Sequence, residues 1–238
     1  METKKNPIYN LIILDESGSM HGVCPQTISG CNETLNIIRS SQKKFAETQE
    51  HLVSIYVFQD GDIPSRYLIK NTPIEHVRNI TGNDYKPWGS TPLNDAVGMT
   101  LSDLKSTMYG KEDAVANVTI ITDGYENSSR EYSGEKVRQV SSELKELCWN
   151  FNFIGANIDV ESVAKQYEID NYMAFKQDDE GMKQMWAKEK ASRMAYNESL
   201  DSIFSELASP ESVLSVEALK ELKKKRLKEC SKGYFDKG

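Results

Sequence analysis

Ile8 to Leu14 is apolar at every position but Asn10, and the run stops at Asp15. A strand with one face in water alternates polar and apolar residues. A nearly unbroken run instead fits a strand covered on both faces, as in a parallel sheet lying between two layers of helix. The rest of the chain has the matching rhythm. A helical pattern from about Thr27 to Gln49 is followed by an apolar run from Leu52 to Phe58. Two short runs, Tyr67–Ile69 and Ile74–Val77, flank Asn71-Thr72-Pro73, which predicts a hairpin at the sheet edge. Leu93, Val97, Leu101, Leu104 and Met108 mark a helix, and Thr91-Pro92 supplies an N-cap followed by proline at the first helical position.

Beyond it come a β-branched strand, Val118–Thr122, and a helix from about Glu135 to Trp149. Then follow a strand at Phe151–Ala156, a short helix at Ser162–Tyr167 and a last strand at Met173–Phe175. Strands alternating with helices predict an α/β fold, a doubly wound and mostly parallel sheet with right-handed crossovers and one antiparallel edge strand. Helical sequence continues from Asp179 to Ala208, is broken at Ser209-Pro210, and resumes from about Val213 to Cys230. The expected organisation is an α/β domain over residues 1–178 and a C-terminal helical extension over residues 179–238.

Charge divides along the same line. The chain of 238 residues has a formal net charge of −7. From Pro210 onward eight basic residues face five acidic ones, a surplus of three, which leaves the rest at −10. A body-plus-tail layout follows. No uncharged run is long enough to span a bilayer, and the apolar stretch Leu11–Leu14 ends too soon for a signal peptide, so a cytoplasmic protein is expected. The four cysteines do not form a disulfide framework. Cys31 and Cys148 fall on apolar helical stripes and read as buried thiols; His21, Cys24 and Cys31 lack an evident fourth zinc ligand.

Chemistry concentrates where the first strand ends. Asp15-Glu16-Ser17-Gly18-Ser19 follows Leu14 directly, and ligands of open α/β sheets bind beyond the carboxyl ends of strands at the point where strand order reverses. If the first strand lies beside Val118–Thr122, Asp123 ends its neighbour, and the loop before Thr91 can reach the same edge. Two carboxylates and three hydroxyls are hard oxygen donors, suited to Mg²⁺, or to Mn²⁺ or Ca²⁺, and not to zinc or copper.

This constellation resembles the metal-ion-dependent adhesion site (MIDAS) of the von Willebrand factor type A (VWA) family. The resemblance rests on Asp15, Ser17 and Ser19, on Thr91 in Gly89-Ser90-Thr91-Pro92-Leu93, and on Asp123 in Ile120-Ile121-Thr122-Asp123-Gly124, and it covers about Ile8 to Phe175. It is nearest to the stand-alone single-domain forms of bacteria and their phages. It implies that Ser17, Ser19 and Thr91 bind a divalent ion, with Asp15 and Asp123 acting directly or through water. It also implies that a carboxylate of a protein partner completes the shell. His21, Trp88 and Tyr125 stand near these positions in sequence and are candidates for the rim where that partner docks.

Other classes fit less well. A metal-dependent phosphate hydrolase of the aspartyl-phosphate type would carry a second acid where Ser17 stands, no glycine-rich phosphate loop with lysine is present, and His21, His51 and His76 have no recognisable catalytic setting. The expectation is a binding protein and not an enzyme. The Lys223–Lys228 cluster offers a nucleic-acid reading, which the −10 body opposes. Met182, Met185 and Trp186 are expected to pack against the domain.

Overall fold

Strands form where the apolar runs lie: β1 (Asn6–Asp15), β2 (Gln49–Phe58), β3 (Arg66–Pro73), β4 (Val115–Thr122), β5 (Asn150–Gly155) and β6 (Asn171–Ala174). The computed structural model describes residues 5–208 and 215–237. The strands make one sheet in the order β3-β2-β1-β4-β5-β6, parallel throughout except for β3, which runs antiparallel to β2 at the edge. Helices α1 (Cys24–Lys44), α2 (Leu93–Met108), α3 (Gly134–Glu146), α4 (Val160–Gln166), α5 (Asp179–Leu207) and α6 (Val216–Ser231) cover both faces. The Ser209-Pro210 break and the expected helix start at Val213 lie outside the described residues.

The double covering explains the unbroken run in β1. Ile8, Ile12 and Leu14 pack with α1, α5 and α6, while Tyr9, Leu11 and Ile13 pack with α2, α3 and α4. Asn10, the one polar residue in the run, is also explained. It is 1% exposed and its Oδ1 accepts from Arg193 Nη1 of α5 at 2.9 Å. Arg193 is itself fully buried, paired with Glu189 at 2.6 Å and bonded to Thr119 of β4 at 3.0 Å. A buried charge pair of this kind needs its remaining donors satisfied, and Asn10 and Thr119 satisfy them. Helix α5 is therefore part of the layer on this face. Met182, Met185 and Trp186 are buried in it, with the Trp186 ring so close to Gly30 of α1 that a Cβ there would lie 2.2 Å away.

Three expectations about elements need correction. The predicted edge hairpin is one continuous strand, β3, followed by a 3₁₀ turn at Ile74–His76. Asn71 adopts its left-handed conformation (φ 46°) inside the strand, where the pairing register with β2 shifts and Ser54 Oγ accepts from Asn71 N at 2.8 Å. Pro73 is tolerated because the strand lies at the edge. Helix α1 stops at Lys44 and not near Gln49, because Gln49 already belongs to β2 and its buried amide bonds to the Asn197 carbonyl at 2.8 Å. Helix α3 stops at Glu146: Cys148 is buried, as expected of it, but lies beyond the helix at φ 63°.

The basic tail has a use in the fold. On α6, Lys220 pairs with Glu112, Lys223 with Asp113, Lys228 with Glu146 and Arg226 with Glu206. Such exposed pairs contribute less than about 1 kcal/mol each. Together they set cations of the tail against acids of the body. Leu227 and Cys230 of the same helix are buried, and the 3₁₀ turn Tyr234–Asp236 beyond it buries Tyr234 and Phe235.

Candidate metal centre

Chain order reverses between β1 and β4: from β1 the chain passes through α1 to β2 on one side, and reaches β4 through α2 on the other. Asp15 closes β1 and Asp123 follows β4, so both carboxylates stand at the switch point. Asp15 is fully buried. Its Oδ1 accepts from Ser17 N at 2.7 Å and its Oδ2 from Thr122 Oγ1 at 2.5 Å. Ser17 Oγ lies 3.1 Å from Ser19 Oγ, which donates to Asp123 Oδ1 at 2.6 Å.

Thr91 joins them from a long loop. Its side chain does not cap α2, contrary to expectation; the helix begins at Leu93 with Pro92 at the N-cap. The helix amides are met by another loop instead. Glu126 Oε2 accepts from Asn94 N at 2.7 Å and Ser129 Oγ from Asp95 N at 2.9 Å. The Thr91 hydroxyl is thereby left facing the residue after Asp123: a Cβ on Gly124 would lie 3.4 Å from it. All five positions named from sequence thus gather at one place.

The electrostatics there are unbalanced. Burial is the largest influence on Asp15 and pushes its carboxyl from 3.8 up to about 6, against the lowering effect of its bonds to Ser17 and Thr122. Burial likewise raises Asp123, whose bonds to Ser19 and Gln177 oppose the rise. No lysine or arginine among the described residues bonds to either one. Glu16, between Asp15 and Ser17, makes the contrast. It is equally buried, yet Arg66 grips both its oxygens, Nη1 at 2.7 Å and Nη2 at 3.1 Å. Two buried carboxylates without a cation, beside three hydroxyls, make a donor set that fits a hard divalent ion. Among the described residues no cluster of three or more His, Cys, Asp or Glu forms a second candidate, so His21, Cys24 and Cys31 do not make a zinc site.

The rim candidates have separate roles. Trp88 is 63% exposed and its ring covers Gly61, while Tyr125 is 54% exposed and its hydroxyl accepts from Asp159 N at 2.8 Å. His21 is exposed in the 3₁₀ turn Gly18–Val23, which also contains Ser19. His51, by contrast, is buried far down β2 and pushed to about 3 by burial and by Arg193, so it stays neutral. Sequence reasoning missed Gln177. Its Nε2 donates to Asp123 Oδ2 and to the Ser19 carbonyl, and Asn157 Nδ2 donates to its Oε1 at 2.5 Å. A lone glutamine between a strand and a helix carries no signal that would have marked it.

Strand order and the antiparallel edge agree with the Rossmann-like VWA fold expected from the sequence. Among solved structures the chain is similar to the pilus adhesin SpaC from Lactobacillus rhamnosus GG, at 10% identity and a TM-score of 0.57, over 80% of this chain and 31% of that one. It also resembles the VWA domain of SpRpn10, at 8% identity and a TM-score of 0.49, over 76% of this chain and 94% of that one. A third is proximal thread matrix protein 1 of the mussel byssus, solved with a zinc-occupied MIDAS motif, at 14% identity and a TM-score of 0.49, over 77% and 44%. At such identities the likeness is one of fold alone. No protein-family model matches the sequence, and no curated protein matches it. No helix among the described residues is long and apolar enough to cross a membrane.

Proposed function

We infer that the chain is a divalent-metal-dependent protein-binding module. In this reading Ser17, Ser19 and Thr91 hold Mg²⁺ (or Mn²⁺ or Ca²⁺), and Asp15 and Asp123 supply the negative charge. An Asp or Glu side chain of a protein partner completes the shell. The observation that carries the reading is the pair of buried carboxylates, Asp15 and Asp123, that have hydroxyl partners and no positive one among the described residues. The ion supplies a Lewis-acidic, electron-poor centre when most of its protein ligands are neutral hydroxyls, and such a centre attracts an outside carboxylate. Trp88 and Tyr125, exposed and close in sequence to Thr91 and Asp123, are the aromatic candidates for contact with that partner.

The same reading makes the protein a binder and not a hydrolase. Both carboxylates are committed to the ion and to Ser17, Ser19 and Thr122, which leaves neither for acid–base work. A nucleic-acid role is disfavoured by the pairing of Lys220, Lys223 and Lys228 with acids of the body. The natural setting is the cytoplasm of a bacterium or of a phage-infected cell. Affinity capture from such a lysate, with Mg²⁺ and with chelator, tests it. Partners retained only with the ion, and lost with Asp123→Ala, support the module; an identical set under all three conditions overturns it.

A further inference from the structure

We propose that Glu16 and Arg66 are positioning residues of the metal site, which hold the Thr91 loop in register with the Ser17–Ser19 loop. The inference rests on the metal reading above and goes one step beyond it. Of the five proposed ligands, Thr91 alone comes from a loop that follows no strand of the switch point: residues 77–92 connect the β3 edge to α2. Nothing in the sheet's own hydrogen bonding sets where that loop stands relative to β1. Tyr85 Oη ties the loop to the Asp15 carbonyl at 2.5 Å and Asn127 Oδ1 accepts from Thr91 N at 2.8 Å, but the side chain that gathers the most ties is the Glu16 carboxylate. Its Oε1 accepts from Lys86 N at 2.6 Å and its Oε2 from Gln59 Nε2 at 2.7 Å, while Arg66 binds both oxygens.

Each of these partners also reaches the loop or the strands beside it. Arg66 Nη2 donates to the Asp84 carbonyl at 2.7 Å, and Gln59 Nε2 to the Lys86 carbonyl at 3.2 Å. The backbone completes the seam: Trp88 N donates to the Glu16 carbonyl at 2.9 Å and Gly18 N to the Gly89 carbonyl at 3.1 Å. One side chain, placed between two proposed ligands, therefore joins the ends of β1 and β2, the start of β3 and the loop that carries Thr91. A bidentate arginine fork fixes orientation as well as charge. The x position of Asp-x-Ser-x-Ser thus has a specific task in this chain.

The test is Mn²⁺ binding followed by electron paramagnetic resonance in wild type, Glu16→Gln, Arg66→Lys and Gln59→Met, with folding checked by circular dichroism and urea melting. Arg66→Lys keeps the charge and removes the fork; Gln59→Met removes one strut and leaves the pair. The control is Leu144→Ala on α3, a core change remote from the seam. Expected is a loss of Mn²⁺ affinity of about tenfold or more in Glu16→Gln and Arg66→Lys, the range seen when groups that orient metal ligands are removed, and a smaller loss in Gln59→Met. Leu144→Ala should bind as wild type does despite lower stability. Folded Glu16 and Arg66 variants with wild-type affinity would overturn the positioning role while the metal reading stands. Failure of wild type itself to bind Mn²⁺ would overturn both.

Discussion

Asp15→Asn should make the metal-free protein more stable, although it removes the first residue of the motif. The wild-type carboxyl titrates near 6, against an ordinary 3.8, because burial opposes its charge. A rise of that size is worth about 3 kcal/mol. Between those two pH values the native state holds a proton that the unfolded chain has released, so stability falls as pH rises through the window. Below about pH 4 both states are protonated and the cost vanishes; above about pH 6 it is fully present. Asparagine carries no charge to bury. Its Oδ1 can still accept from Ser17 N, and its amide can donate to Thr122 Oγ1, which now donates to Asp15.

The assay is urea unfolding of both proteins, in chelator, at several pH values between 4 and 7.5. The difference between the two stabilities should be near zero at pH 4 and grow to about 3 kcal/mol in favour of the variant at pH 7.5. Millimolar Mg²⁺ should then stabilise the wild type and leave the variant unchanged. An Asp15→Asn protein that is less stable than wild type at pH 7.5 in chelator would refute the premise that burial dominates this carboxylate.

Other parts of the fold make separate predictions. Arg193→Met leaves Glu189 buried without its partner and should cost about 3–5 kcal/mol in urea unfolding, whereas the double change with Glu189→Leu should recover most of that loss. Tyr234→Ala empties a fully buried site under α5 and should cost about 3–5 kcal/mol in the same assay, with Tyr234→Phe costing about 1 kcal/mol. Gly30→Ala should lower the melting temperature, since its methyl would meet the Trp186 ring, although alanine is the better helix former.

The fold was legible because its evidence is local. The run Ile8–Leu14 announces a doubly covered strand, and the alternation of apolar runs with helical stripes gives most of the element order, although not the ends of α1 and α3. The candidate site could be drawn from sequence because Asp15, Ser17 and Ser19 fall within five residues of one strand end, and Asp123 directly follows another. What sequence missed is long-range. Asn10 meets Arg193 across 183 positions, so neither residue alone betrays that α5 completes a face of the sheet. The edge hairpin failed because Asn71 and Pro73 have turn chemistry, which a register shift at an edge strand absorbs equally well. Thr91 looked like a helix cap because capping residues are judged from their neighbours, and here Glu126 and Ser129 supply the acceptors from another loop. Glu16 carries no signal of its own in the sequence; its meaning depends on Arg66, fifty positions away.

The account stands most directly on one titration, Mg²⁺ into the chelator-treated protein at pH 7.5, followed by isothermal calorimetry for wild type and Asp123→Ala. It predicts one ion per chain in the wild type and none in the variant, with the wild-type affinity falling as pH is lowered through about 6, where Asp15 takes up its proton. Absence of binding at millimolar Mg²⁺, or equal binding in the two proteins, would contradict it.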